Sequence, residues 1–304
     1  FSGHETFALR HGWLKKVVDT VAKRQSEVFK SEDAIARFGV GRNMVSSMKH
    51  WATTLEVILP EDNPDEFSLG PFGSSILDTS RGGGALDPYL ENPLSLWLLH
   101  WKLAENFTSN TSWHYAFHLY SRTTFDRKHL SSAIIDFNKE DGQPKVADKT
   151  IQRDVDCFVS TYVMKRGRDG KAGEDSLESP LAELGLIKEL PQRGHYEFRI
   201  GPKPDLPDAM FLYALHRFMN DGDGPATASL ERITFDPGSP GRAFKLDENS
   251  IAERLSQINS ISKGIFEWSE TASLREVQLL NAEVDPFKHF IVPAYEDQAG
   301  LEAA

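Results

Sequence analysis

One cysteine, Cys157, in 304 residues rules out an internal disulfide framework and any multi-cysteine zinc site. Set in an apolar helical stretch, it reads as a small core residue. No apolar run approaches the ~20 residues that span a bilayer, and no stretch reads as a secretory leader. A cytoplasmic protein with no membrane partner is therefore expected. Positive charge is also scarce: 34 Lys and Arg stand against 45 Asp and Glu, and a net charge of −11 argues against a protein that coats nucleic acid. There is no phosphate-cradling loop either. Arg81-Gly82-Gly83-Gly84 lacks the following Lys-Ser/Thr and the preceding strand, and reads as a connector. A PD…(D/E)xK pattern in a strand–hairpin setting and an HNH-like histidine cluster are both missing.

What the chain does have is a helix, a glycine turn and a second helix between Ser31 and Trp51. Ser31 can cap the first helix by accepting a hydrogen bond from a free N–H of its first turn. Glu32 and Asp33 follow where the helix dipole favours negative charge. Ala34, Ile35 and Phe38 fall at helical spacing and are expected to face inward. Gly39 and Gly41 bracket Val40 and suit a tight turn with positive φ. Met44, Val45, Met48 and Trp51 give the second helix an apolar face. Arg42, Asn43, Ser46 and Lys49, with His50 a further candidate, lie opposite, and these are residue types that pair with base edges and phosphates. A hairpin from Leu55 to Leu69, turning at Glu61-Asp62-Asn63-Pro64-Asp65, completes a winged-helix order. Its acidic tip is poor for gripping phosphate, so DNA and protein both stay open as the partner of this module.

The overall charge hides a gradient. Residues 1–50 hold nine Lys and Arg, among them Arg10, Lys15 and Lys16, against five acids, a net of +4. A local basic face on an acidic chain suits salt-sensitive DNA binding or docking onto an acidic neighbour.

The theme then repeats. After an aromatic helix within 85–105 come helices at about 127–138 and 149–164, with a turn at Asp141-Gly142 between them. A short helix at 180–185 and a hairpin turning at Gln192-Arg193-Gly194 follow. Residues 207–219 form another helix and Asp221 to Pro225 a break. A third unit then begins, with a helix from Glu248 and a hairpin within 265–279. The expected fold is mainly α with short β-hairpins, in tandem winged-helix-like domains. The boundaries are 1–84, a helical connector 85–125, then 126–220 and 221–304.

Phe1-Ser2-Gly3-His4-Glu5-Thr6-Phe7 and Gly39-Val40-Gly41-Arg42-Asn43-Met44-Val45 open a series of motifs that runs the length of the chain. Leu96-Trp97-Leu98-Leu99-His100-Trp101, Asp154-Val155-Asp156-Cys157-Phe158 and Gly238-Ser239-Pro240-Gly241-Arg242 continue it in order. In these the chain resembles a bacterial family first catalogued as a domain of unknown function, the SspB-like proteins of single-strand DNA phosphorothioation clusters. The resemblance implies a DNA-nicking protein of a modification and phage-defence system. It also implies partners: a cysteine desulfurase, an ATPase and a PAPS-reductase-like sulfur-transfer protein. No motif of the family fixes a catalytic residue, so a non-catalytic DNA-binding adaptor or regulator stays open beside the nickase.

A nickase needs an activated water and stabilisation of charge on phosphorus, usually through carboxylate-held Mg²⁺ or Mn²⁺. The candidates are His4 and Glu5, with Arg10 and His11 nearby, and Asp154. Each has a structural alternative: an anchored amino-terminal segment for the first group, an ion pair for Asp154. Asp154 and Asp156 sit about 200° apart on a helix and cannot chelate one ion together; Glu174-Asp175 lie downstream. Trp97, His100, Trp101, Trp113 and His114 could stack on splayed bases, but a buried aromatic seam explains them more simply. Gly238 to Arg242 is the most phosphate-like turn, or a rigid turn before a helix.

Overall fold

The computed structural model describes residues 1–23, 28–30, 33–80, 84–108, 110–140, 146–164, 179–220, 226–271 and 274–302. Ser31, Glu32, Arg81 to Gly83, Asp141-Gly142, Glu174-Asp175 and Asp221 to Pro225 lie outside these residues. The protein is mostly helical with small antiparallel sheets. It divides into two compact units, Phe1–Ala116 with Arg122–Phe198, and Phe117–Ser121 with Arg199–Ala304.

Unit 1 opens with helix α1 (Trp13–Ala22), whose Trp13, Leu14, Val17, Val18 and Val21 are buried. Helices α2 (Asp33–Phe38) and α3 (Arg42–Thr54) follow. Gly39 takes φ 67° to close the turn between them. Ala34 and Phe38, four apart, point inward, but Ile35 does not: it is 42% exposed, because a six-residue helix packs only one narrow stripe. Strands β1 (Ile58–Pro60) and β2 (Phe67–Leu69) pair with Ile58 opposite Leu69. The first strand begins three residues later than expected, since Leu55 still donates its N–H to Trp51 O and closes α3.

Helix α4 (Pro93–Glu105) starts where the Asn92 side chain accepts from Leu94 N–H and Pro93 fills the first turn. It is buried on nearly every side, as its dense Leu and Trp content requires. Helix α5 (Thr111–His114) continues into a π-helical segment, Tyr115–Leu119.

Strand β3 (Thr124–Asp126) leads into helices α6 (Arg127–Glu140) and α7 (Asp148–Tyr162), a 3₁₀ turn at Pro180–Leu184, and the hairpin β4 (Ile187–Glu189) and β5 (His195–Phe198). The three strands lie in the order β3-β5-β4.

Unit 2 repeats that order. Helix α8 (Asp208–Asn220), strand β6 (Thr227–Ser229) and helices α9 (Leu230–Phe235), α10 (Pro240–Phe244), α11 (Glu248–Ser256) and α12 (Ile258–Ile261) precede a hairpin. The hairpin strands are β7 (Phe266–Glu270) and β8 (Arg275–Leu279); helix α13 (Val292–Glu302) ends the unit, and its sheet runs β6-β8-β7. Ser229, Ser239 and Asp247 each accept a main-chain N–H from three residues ahead and so start α9, α10 and α11. Among the described residues no helix is long and apolar enough to cross a membrane.

Candidate functional site

The structure brings two of the three candidate catalytic residues together and leaves the third apart. His4 Nε2 lies 2.9 Å from Asp154 Oδ1, with His4 3% and Asp154 2% exposed. Thr6 N–H donates to His4 Nδ1 at 3.0 Å, so the neutral ring carries its proton on Nε2 and donates it to the carboxylate. The same carboxylate accepts Ser2 N–H on Oδ1 and Ser112 Oγ–H on Oδ2. Glu5 is exposed and takes no part.

This small network holds an unusual backbone. Ser2, Glu5 and Thr6 adopt φ of 64°, 47° and 66°, and Gly3 adopts 97°. Left-handed geometry costs a non-glycine residue about 1–2 kcal/mol, so the segment keeps this path because its bonds to α7 and α3 over-determine it. Gly3 is required twice over: its φ is positive, and a Cβ would meet His50 Nδ1 at 2.4 Å.

Aromatic rings enclose the pair. The His4 ring is stacked at 6.3 Å from Trp51 and meets His50 and Trp113 edge-on at 5.8 and 6.0 Å. Trp51 Nε1–H donates to Phe7 O at 3.0 Å, which ties α3 to the amino-terminal segment. His50, expected among the polar residues of α3, turns inward instead, and its Nε2 has no partner among the described residues. Burial first, and then the neighbouring His4, push its pKa down from 6.5 to about 4.

A histidine whose folded pKa lies below its unfolded value is neutral in the fold. Its contribution is complete above about pH 6.5 and is lost as the unfolded chain takes up a proton between about pH 6.5 and 4. The full effect is about 3 kcal/mol. Thermal melts across that window should show a steep loss of stability in the wild type and a shallower one in His50→Gln; parallel curves would sink the assignment.

The candidate DNA-contacting residues fall into two sets. Arg42, Asn43 and Ser46 lie on the solvent side of α3. The others are engaged within the fold. Arg10 lies over the rings of Phe7 and Trp13. Lys15 pairs with Asp19, and Lys16 donates to Phe38 O. Lys49 Nζ sits 5.0 Å from the Phe67 ring and 5.8 Å from Phe29, leaning from α3 toward the β1–β2 hairpin. Lys30 pairs with Asp65 and removes part of the hairpin tip's negative charge.

The remaining groupings resolve into structure. Trp97, His100, Trp101 and Trp113 are at most 2% exposed, and His100 Nδ1 meets Tyr162 OH at 2.8 Å. His114 Nδ1 bonds Ala104 O. These rings are core and offer no stacking platform for bases. His11 meets Glu183 at the surface, and Asp156 pairs with Arg127. Cys157 is buried, and burial pushes its thiol pKa up, out of nucleophile range. At the Gly238–Arg242 turn, Ser239 caps α10 and Arg242 Nε donates to Phe235 O.

The fit to a metal is poor. Among the described residues no three His, Cys, Asp or Glu side chains converge to hold an ion. Both oxygens of Asp154 are already satisfied by Ser2, His4 and Ser112. The described side chains thus supply no preformed cage for a divalent cation.

Fold and site define a class: a mostly helical protein of repeated helix–hairpin modules, with an exposed polar face on α3 and a sealed His4–Asp154 pair. The sequence matches, over residues 1–295, the family described as "Protein of unknown function (DUF4007)", and the chain belongs to that family. It is an SspB-like protein. An SspB crystal structure matches it at 30% identity and a TM-score of 0.80, and a magnesium ion-bound SspB crystal structure at 30% and 0.81. Each comparison covers 98% of this chain and 87% of the other. No curated protein matches the sequence.

Proposed function

We propose that this protein acts on DNA within a phosphorothioation system of the Ssp type, nicking a strand for sulfur incorporation, and that α3 is its DNA-reading helix. The observation that carries the DNA reading is the free polar face of α3. Arg42, Asn43 and Ser46 are exposed and make no hydrogen bond or ion pair among the described residues, while the opposite face is sealed by Trp51 and Met48. Arg and Asn near the start of a helix can pair with guanine and adenine edges in the major groove. The order α1, α2, α3 and hairpin is that of a winged helix, with Lys49 at the junction of helix and hairpin. The resemblance to SspB supports the rest of the reading, including Mg²⁺ or Mn²⁺ as cofactor and the sulfur-transfer proteins as partners.

One observation favours the second reading, a DNA-binding adaptor without catalysis. His4 and Asp154 are closed to solvent and satisfied by each other and by the backbone, so they position the amino-terminal segment against α7 and do not face a substrate.

Supercoiled plasmid incubated with the purified protein and Mg²⁺ or Mn²⁺ should yield relaxed circles, and EDTA should stop it. A folded protein that relaxes no plasmid under either metal leaves only the adaptor. Arg42→Ala should weaken duplex binding by about 1–3 kcal/mol, and Lys49→Ala should flatten the salt slope by roughly one unit. Unchanged affinity and slope in both variants would remove α3 from the DNA interface.

A further inference from the structure

We infer that unit 1 carries a second DNA-contacting surface, formed by the solvent face of α7 and the tip of the β4–β5 hairpin; the inference rests on the DNA-acting reading above. Helix α7 buries Ile151, Val155, Phe158, Val159 and Tyr162 together with Asp154 and Cys157. Periodicity then leaves Lys149, Gln152 and Arg153 exposed within one turn of each other.

None of these three side chains makes a hydrogen bond or ion pair among the described residues. That sets them apart from Lys15, Lys102, Arg127, Arg232, Arg254 and Arg275, each of which meets a carboxylate. An amphipathic helix gains nothing in packing from two free cations and a free amide on one face. The same three groups suit a duplex: Lys and Arg for phosphates or guanine, Gln for the N6 and N7 edge of adenine.

The fold also sets this face beside the hairpin. Arg127 Nε bonds Asp156 Oδ1 at 3.0 Å, and its guanidinium also donates to Tyr196 OH. Asp156 lies one helical turn beyond Gln152, and Tyr196 lies on β5, so a single arginine bridges the exposed face of α7 to the hairpin. That pairing also neutralises the acid that follows Gln152 and Arg153 along this face. The hairpin turns through Gln192, Arg193 and Gly194, where Gly194 takes φ 80° and Arg193 is exposed and unpaired among the described residues. The tip of the first hairpin carries Glu61, Asp62 and Asp65, whereas this tip carries Arg193 with one acid beside it, Glu189, whose carboxylate accepts Gly194 N–H. By charge, the second module is better suited than the first to place its hairpin on a phosphate backbone.

Fluorescence polarisation of a labelled DNA duplex, titrated across salt concentrations, tests the surface. Lys149→Ala with Arg153→Ala should weaken binding roughly tenfold or more and reduce the salt slope by about two units. Arg193→Ala should reduce it by about one. All three sites are exposed, so the variants should fold, and circular dichroism checks this before binding is read. A folded double variant with wild-type affinity and slope overturns the inference. If the wild type binds and Arg42→Ala weakens it while the α7 variants do not, only the second surface falls. If the wild type binds no duplex, the DNA-acting reading falls and this surface with it.

Discussion

Replacing Asp154 with alanine should cost unit 1 about 3–5 kcal/mol, enough to unfold a domain of ordinary stability. The carboxylate accepts from Ser2 N–H, His4 Nε2–H and Ser112 Oγ–H in a site that excludes water. Its loss strands three donors at once, and each unmet buried donor costs about 1–3 kcal/mol. The left-handed backbone at Ser2, Glu5 and Thr6 would lose its restraint as well. Asp154→Asn keeps one carbonyl oxygen facing Ser2 and His4, and its amide can donate to Ser112, so it should cost far less. Urea denaturation followed by tryptophan fluorescence reads both, since Trp51 and Trp113 surround the pair. A loss below about 1 kcal/mol for alanine would show that the network is not what holds the segment.

Gly241→Ala should be the most damaging change in unit 2. A Cβ there would stand 2.3 Å from Thr234 O and 2.5 Å from Thr234 Cα, where α10 crosses α9. Both obstacles are backbone, so no rotamer change relieves them and the two helices must part. Overpacking typically costs about 1–3 kcal/mol, and obstacles that are backbone put this change at the upper end. Gly238→Ala is the control. Its nearest neighbour is a Phe218 ring carbon at 4.0 Å, and only its φ of 82° opposes a side chain; about 1 kcal/mol is expected. Thermal melts that ranked Gly238→Ala as the worse of the two would refute the packing argument.

Much of the helical framework follows from local pattern. The spacing of Val45, Met48 and Trp51 places α3, and Ile151, Val155, Phe158 and Tyr162 place α7, because a helix needs only contacts within a turn or two to declare its face. The Gln192-Arg193-Gly194 turn announces its hairpin for the same reason. Strands β3 and β6 give no such signal. Three residues carry too little alternation to be read, and each strand is fixed only by pairing with a hairpin strand far along the chain. The site is hidden in the same way. His4 and Asp154 are each visible as candidates, but 150 residues separate them, and no spacing rule reaches that far. Glu5 falls beside His4 in the sequence as a candidate of the same cluster, yet its left-handed turn sends it to solvent. His50 has the polarity of a surface residue, and it is half-buried because Gly3 leaves room for its ring.

The passage of Phe117–Ser121 through unit 2 has a consequence for how the protein can be taken apart. Lys245, buried and with its pKa pushed down to about 7, donates to Phe117 O at 2.6 Å, and His118 Nδ1 accepts Gly238 N–H at 3.0 Å. A polypeptide cut at Arg199 would carry the lysine and the glycine but neither acceptor. No single scission therefore separates the two units. Shuffling by gene fusion, limited proteolysis and piecewise expression all meet the same obstacle, because one unit is threaded through the other's stretch of chain.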